Sequence, residues 1–207
     1  MDDKVKFEDS VEFGKKGEAI VYSYLKQELH NAYKNKEFNL VDVTQNCICQ
    51  FAGLDFAFQK KNINSLEDLS NTILDAIEVK SHLWVNFDNH IADLAFEVYS
   101  DYDQRTVGWT TKTVGMIDKG ILPFVRIFWI NKDQDNHWVA SIQLNKKFSQ
   151  FWKTNPWHLD HRINKPSYDG NRQWRSSWSP IKVLTLQREG IPYTYFSLKN
   201  YKFNNDE

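Results

Sequence analysis

The chain has 207 residues and a mass of 24.5 kDa, a length that suits one domain and buries enough surface to fold without disulfides or a structural metal. Eight Gly and five Pro exclude collagen-like and low-complexity classes, and two cysteines exclude a disulfide scaffold. Net charge is -1, pI near 6.6 and mean hydropathy -0.61, so the totals point to no membrane or nucleic-acid partner. The charge is uneven, however: residues 1–12 carry five acids against two bases, and residues 162–189 carry six bases against two acids.

The opening MDDKVKFEDSVE is acidic where a secretory leader would be basic. The longest apolar run, Ile121 to Ile130, is broken by Arg126 and falls well short of the ~20 residues a membrane helix needs. A cytoplasmic location is expected. Phe13 to Lys36 reads as a helix, with Val21, Tyr22, Leu25 and Leu29 on one face at three- and four-residue spacing. Glu18 falls on that apolar stripe, and a carboxylate there asks for a reason. Strands are expected at Phe38 to Thr44 and at Cys47 to Gln59, the second bent near Gly53, with Cys47 and Cys49 as reduced packing residues.

Residues 60–73 read as a polar excursion with a helical turn, and Leu74 to His82 and Leu94 to Ser100 alternate as strands. Beyond the loop DYDQRTVG, Phe124 to Asn131 and His137 to Leu144 form an expected hairpin, and Lys146 to Trp152 starts a helix. Residues 153–180 are rich in Trp, Asn, Ser, Arg and Pro and read as a long functional loop, before a strand-like pair at Lys182 to Gln187 and Tyr193 to Leu198. No composition shift marks a second domain.

The chemistry is concentrated in GLDFAF and IEVKSH. Side chains two apart on a strand share a face, so Leu54, Phe56 and Phe58 are expected to point away from Asp55, and Ile77 and Val79 away from Glu78, Lys80 and His82. If the strands are neighbours, Asp55, Glu78 and Lys80 converge on one side of a sheet whose other side is core. Two carboxylates beside a lysine make a hard-oxygen site of the kind Mg²⁺ takes, with Mn²⁺ as a substitute. The lysine can orient the attacking water and offset charge growing on phosphorus.

Glu18 on a first helix, Asp55 in a Gly-Leu-Asp segment and Glu78-Val79-Lys80 in the next strand resemble the PD-(D/E)xK nuclease superfamily over about residues 13–130. The resemblance implies an α/β, restriction-endonuclease-like α-β-β-β-α-β core with a mixed sheet; residues 131–207 would be a β-rich, aromatic C-terminal extension of the same domain. It further implies metal-dependent hydrolysis of DNA phosphodiesters, as by an endonuclease. Asp55, Glu78 and the Val79 carbonyl would hold Mg²⁺, Lys80 would assist the nucleophile, and Glu18 would be the helix carboxylate near the metal. Leu54 stands where the named motif has Pro. LAFEVYS followed by Gly108-Trp109 is similar to small phage and mobile-element members, which would place Glu97 beside the site.

His82 is either a phosphate contact or an exposed strand-end histidine. Glu97 is a second-metal ligand or a cross-strand partner of a lysine. His158 and His161 in WHLDH have metal-compatible spacing with no further ligands in evidence from the sequence. DNA contact is expected from Arg172, Trp174 and Arg175 and from the loop Gln104 to Thr113, including Lys112. Cutting both strands of a duplex with one site per chain implies a homodimer. The reading from another class is a nuclease-fold module that binds DNA or protein without catalysis, suggested by the neutral total charge.

Overall fold

The computed structural model describes residues 7–29, 37–82, 93–132, 137–155, 161–169 and 172–198. The first helix, α1 (Phe7–Tyr24), runs into a π-helical turn at Leu25–Leu29, and Val21 and Leu25 on its apolar stripe are buried as the periodicity predicts. Gly17 lets the helix lie against the sheet: a β-carbon there would run into the Ser81 hydroxyl and stand 3.0 Å from Ile130 Cγ2.

The chain continues through β1 (Asn39–Asp42), α2 (Cys47–Ala52), β2 (Phe56–Gln59), α3 (Leu66–Thr72) and β3 (Ile73–His82). The expected strand at Cys47 is a helix. Asn46 caps it, accepting the Ile48 and Cys49 N–H groups, and Gly53 closes it at a left-handed φ of 70°. These end signals, with Cys49 and Ala52 buried three apart, outweigh the local alternation. The helical turn expected within residues 60–73 is α3, capped by the Ser65 side chain.

Next come β4 (Asp93–Asp101), β5 (Thr106–Val107), α4 (Trp109–Asp118), β6 (Val125–Lys132), β7 (His137–Leu144) and α5 (Lys146–Thr154). The polar loop expected up to Thr113 therefore ends early, because Trp109 to Thr113 is the first part of α4. Residues 153–180 are not one long loop among the described residues. They contain β8 (Arg162–Ile163), β9 (Ser167–Asp169), β10 (Arg172–Trp174) and the start of β11 (Ser177–Lys182). Of the final expected strand pair, only β12 (Tyr193–Ser197) forms; Val183–Arg188 is helix α6, burying Val183 and Leu186 three residues apart.

The architecture is α/β with a mixed sheet. Six strands run in the order β1-β2-β3-β6-β7-β12, every neighbouring pair antiparallel except β3 and β6. A parallel pair needs a crossover. Here it passes through β4, β5 and α4, and β4 and β5 join β11 and β8 in a second sheet ordered β5-β4-β11-β8. The C-terminal third thus contributes to both of these sheets, and its β9 and β10 pair in a third sheet of two strands.

Both faces of the main sheet are covered. Phe56, Phe58, Ile77, Val79, Phe128 and Ile130 pack with Val21 of α1 and Leu25 of the π-helical turn. Ala57, Ala76, Trp129 and Ile142 pack on the other side with α4, α5 and Phe96 of the second sheet. The face of β3 that carries Glu78 is therefore no open surface, as one-sided alternation had suggested, but the rim of a second core. Among the described residues no helix is long and apolar enough to cross a membrane.

Candidate active site

Asp55 lies in the turn between Gly53 and β2, one residue before the strand begins. Its N–H donates to Ile77 O at 2.9 Å, and its carbonyl accepts the Val43 N–H at 3.0 Å. Where β2 gives out, its side chain takes over the ladder: Val79 N–H donates to Asp55 Oδ2 at 2.7 Å. Leu54 packs with Ala57 and Trp129, opposite Phe56 and Phe58. The shared face expected for those three residues fails because Leu54 and Asp55 precede the strand and do not follow its parity.

Glu78 and Lys80 stand on the face of β3 away from α1, as the alternation required. Glu78 is 5% exposed. The Lys80 ammonium donates to Glu78 Oε1 and lies 5.0 Å from the centroid of the Trp109 ring. Trp109 opens α4, and its N–H donates to Glu97 Oε2 at 2.8 Å, so the Glu97 carboxylate supplies the cap that Gly108 lacks. The carboxylate also acts electrostatically on Lys80.

Burial pushes the Glu78 carboxyl up to about 8, with Asp55 adding to the shift and Lys80 opposing it. Burial also raises Asp55, against the pull of Lys80 and of the Val79 N–H. Glu18 is raised by burial and then by Asp55 and Asp42, so the helix carboxylate expected near this group does feel it. For Lys80, burial works against the charge, but Glu78 and Asp55 outweigh it and hold the ammonium above its ordinary value. Four acidic side chains, Glu78, Asp55, Glu97 and Glu18, thus lie in the field of the Lys80 ammonium.

Asp55, Val79, Glu78 and Lys80 are brought together, with Glu18 and Glu97 in their field. The expected nucleic-acid contacts are more scattered. Gln104 is exposed in the turn after β4, its N–H donating to Asp101 Oδ1 at 3.2 Å, and Lys112 sits in the first turn of α4. Arg175 grips Asp103 through Nε at 3.0 Å and through Nη2, while Trp174 ends β10 half-buried. The side chains of His82 and Arg172 lie outside the described residues, as does His158. His161 packs beside Tyr102 at 5.2 Å. Among the described residues no group of three or more His, Cys, Asp and Glu side chains forms a metal cluster.

Sequence reasoning missed Trp109, the ring beneath Lys80. Its only signal was the Gly-Trp pair after β5. No protein-family model, curated protein or solved structure matches the chain.

Proposed function

We propose that the protein is a Mg²⁺-dependent nuclease that hydrolyses DNA phosphodiesters as an endonuclease, with a restriction-endonuclease-like core. The observation that carries this reading is the meeting of Asp55, Glu78 and Lys80, with Asp55 fastened to the peptide of Val79 across 24 residues of sequence. The order α1, β1-β2-β3, α4, β6, with α2 and α3 inserted between the first three strands and β4 and β5 before α4, and with β3 and β6 parallel, supports the α-β-β-β-α-β core.

The donor set fits a hard divalent cation. Buried Glu78 and half-buried Asp55 lie beside one ammonium, and Mg²⁺ is held by only one or two protein carboxylates with the rest of its shell from water and phosphate. Asp55, Glu78 and the Val79 carbonyl would hold it, with Glu18 and Glu97 as outer carboxylates. When bound, the ion supplies Lewis acidity toward a phosphodiester oxygen.

The chain's own groups do the rest. Asp55 is oriented by the Val79 N–H, and Lys80 by Glu78 and the Trp109 ring, so neither must reorganise when substrate arrives. Hydrolysis joins a water oxygen to phosphorus and breaks one bridging P–O bond; Lys80 places positive charge where negative charge grows.

Incubating the protein with supercoiled, linear, branched and single-stranded DNA, with Mg²⁺, Mn²⁺ or EDTA, tests the reading. Metal-dependent cleavage lost in Lys80→Ala is expected. Equal behaviour of wild type and Lys80→Ala on every substrate rejects it.

A second reading, a binding module without catalysis, is favoured by one observation: Lys80 already neutralises Glu78 within the chain. Calorimetry with Mg²⁺ separates the two, because a binding heat abolished by Asp55→Asn belongs to the nuclease. We propose a homodimer on the two-strand argument alone, and sedimentation equilibrium checks it.

A further inference from the structure

On β11 the register partner of Glu97 is Trp178, so no lysine stands directly opposite it there. Its carboxylate turns instead to the start of α4. Two successive N–H groups tie that start to β4: Gly108 donates to Val98 O at 2.8 Å, and Trp109 donates to Glu97 Oε2 at 2.8 Å. Gly108 has no side chain with which to cap the helix, and no room for one. A β-carbon there would stand 2.8 Å from Glu97 Cγ, from Glu97 O and from the Val98 carbonyl carbon, and two of these three atoms are backbone that moves only with the strand. The stem of Glu97 is thus pressed against Gly108, with its carboxylate at the N-terminus of a ten-residue helix.

The place of Trp109 matters because its ring meets several elements at once. Its centroid lies 6.2 Å from that of Phe96 on β4 and 6.3 Å from that of Trp129 on β6, and Trp129 is paired with Lys80 across the parallel strands. Gly53 comes close as well: a β-carbon there would be 3.7 Å from Trp109 Cβ and 4.0 Å from Glu78 Oε2. The Lys80 ammonium, 5.0 Å from the Trp109 ring, therefore has two partners of different kinds, a carboxylate on its own strand and an indole on α4. With Glu78 alone, the ammonium could swing about its flexible four-carbon stem. The ring adds a second fixed direction, and Glu97 holds the N–H of the residue that bears the ring.

We propose that Glu97 is a positioning residue: by accepting the Trp109 N–H it sets the indole against Lys80, and so fixes where the ammonium stands. Glu97 then acts on the reaction through Trp109 and not as a ligand of the metal. A cap bond needs an oxygen acceptor at the right reach and needs no charge. A hard cation needs charged oxygen, from Asp or Glu alike. Reach and charge can be separated by substitution. The effect on cleavage rests on the nuclease reading, whereas the placing of Lys80 by Trp109 and Glu97 does not.

The test compares Glu97→Gln, which keeps the reach and loses the charge, with Glu97→Asp, which keeps the charge and falls one methylene short. Both are conservative changes, which guards the fold. The first measurement is made without DNA or metal, by NMR of protein carrying isotope-labelled lysine, and follows the Lys80 ε-methylene signal, assigned by its absence in Lys80→Ala. The neighbouring ring displaces that signal, and Trp109→Leu should return it toward the ordinary lysine position. Glu97→Gln should leave it near wild type, and Glu97→Asp should move it most of the way to Trp109→Leu. The second measurement is single-turnover cleavage at saturating Mg²⁺. Glu97→Asp should lose about 2- to 30-fold, the range of a lost cation–π contact, and Glu97→Gln less. In the Trp109→Leu background Glu97→Asp should cost less than about twofold more, because two changes on one path do not multiply. Calorimetry should keep both variants within about tenfold of wild type in Mg²⁺ affinity, since a larger loss marks a group tied to the metal. An unmoved Lys80 signal in Glu97→Asp, cleavage by Glu97→Asp at or above that of Glu97→Gln, losses that multiply with Trp109→Leu, or a larger fall in Mg²⁺ affinity in Glu97→Gln would each overturn the proposal. No cleavage by wild type, with the NMR pattern as expected, removes the nuclease reading and leaves this one; cleavage by wild type with an unmoved signal does the reverse.

Discussion

Asp55 and Val79 meet through one hydrogen bond, 2.7 Å from peptide nitrogen to carboxylate oxygen, at the point where β2 stops and β3 runs on. The carboxylate thereby has a structural duty and a chemical one, and the two can be separated. Asp55→Asn keeps an oxygen acceptor for Val79, whereas Asp55→Ala leaves a part-buried N–H without one. Urea denaturation should show the alanine variant less stable than the asparagine variant by about 1–3 kcal/mol, the cost of an unsatisfied group. Both should lose Mg²⁺ binding heat.

Glu78 has a folded-state pKa of about 8 against an ordinary 4.5. Between those values the folded chain keeps a proton that the unfolded chain releases, so the stability it contributes is complete below about 4.5 and is lost as pH rises through about 8. Denaturation midpoints measured in EDTA from pH 5 to 9 should fall more steeply for wild type than for Glu78→Gln. Parallel profiles would show that the carboxylate titrates normally.

Trp109 holds the Lys80 ammonium over its ring at 5.0 Å. Trp109→Phe keeps a face for the cation and Trp109→Leu does not. A cation–π contact is worth about 0.5–2 kcal/mol, so the leucine variant should cleave about 2- to 30-fold more slowly than the phenylalanine variant at saturating Mg²⁺. Calorimetry should find metal affinity alike in the two. A drop in metal affinity that matched the rate would place the defect in the carboxylates.

Gly17 sets the distance between α1 and β3, and with it the position of Glu18. Gly17→Ala should destabilise the fold by about 1–3 kcal/mol through overpacking and weaken Mg²⁺ binding by shifting Glu18. Adding Ser81→Ala removes the hydroxyl in the way and should recover part of both losses. A double variant no better than the single one would place the strain at Ile130 Cγ2 and Ser81 Cβ, the other atoms in contact.

What the sequence determined was every element whose period is long enough to show. The stripe of Val21 and Leu25 marked α1, and alternation marked β3, β4, β6, β7 and β12, because burying one face of a repeating element constrains many residues at once. The same alternation put Glu78 and Lys80 on one side of β3. It misread α2 and α6, six residues each, as strands, because helices so short rest on end signals and on packing against the sheets. It also missed α4, whose inner face includes the buried Thr110 and Thr113 and so lacks a clean apolar stripe. Only tertiary structure decided the site itself. Asp55 reaches Val79 from a turn, outside strand parity, and Trp109 comes to Lys80 from a helix end. Glu97 meets the first N–H of that helix across 12 residues of sequence. Each contact is long-range or depends on a single backbone conformation, and no periodicity records either.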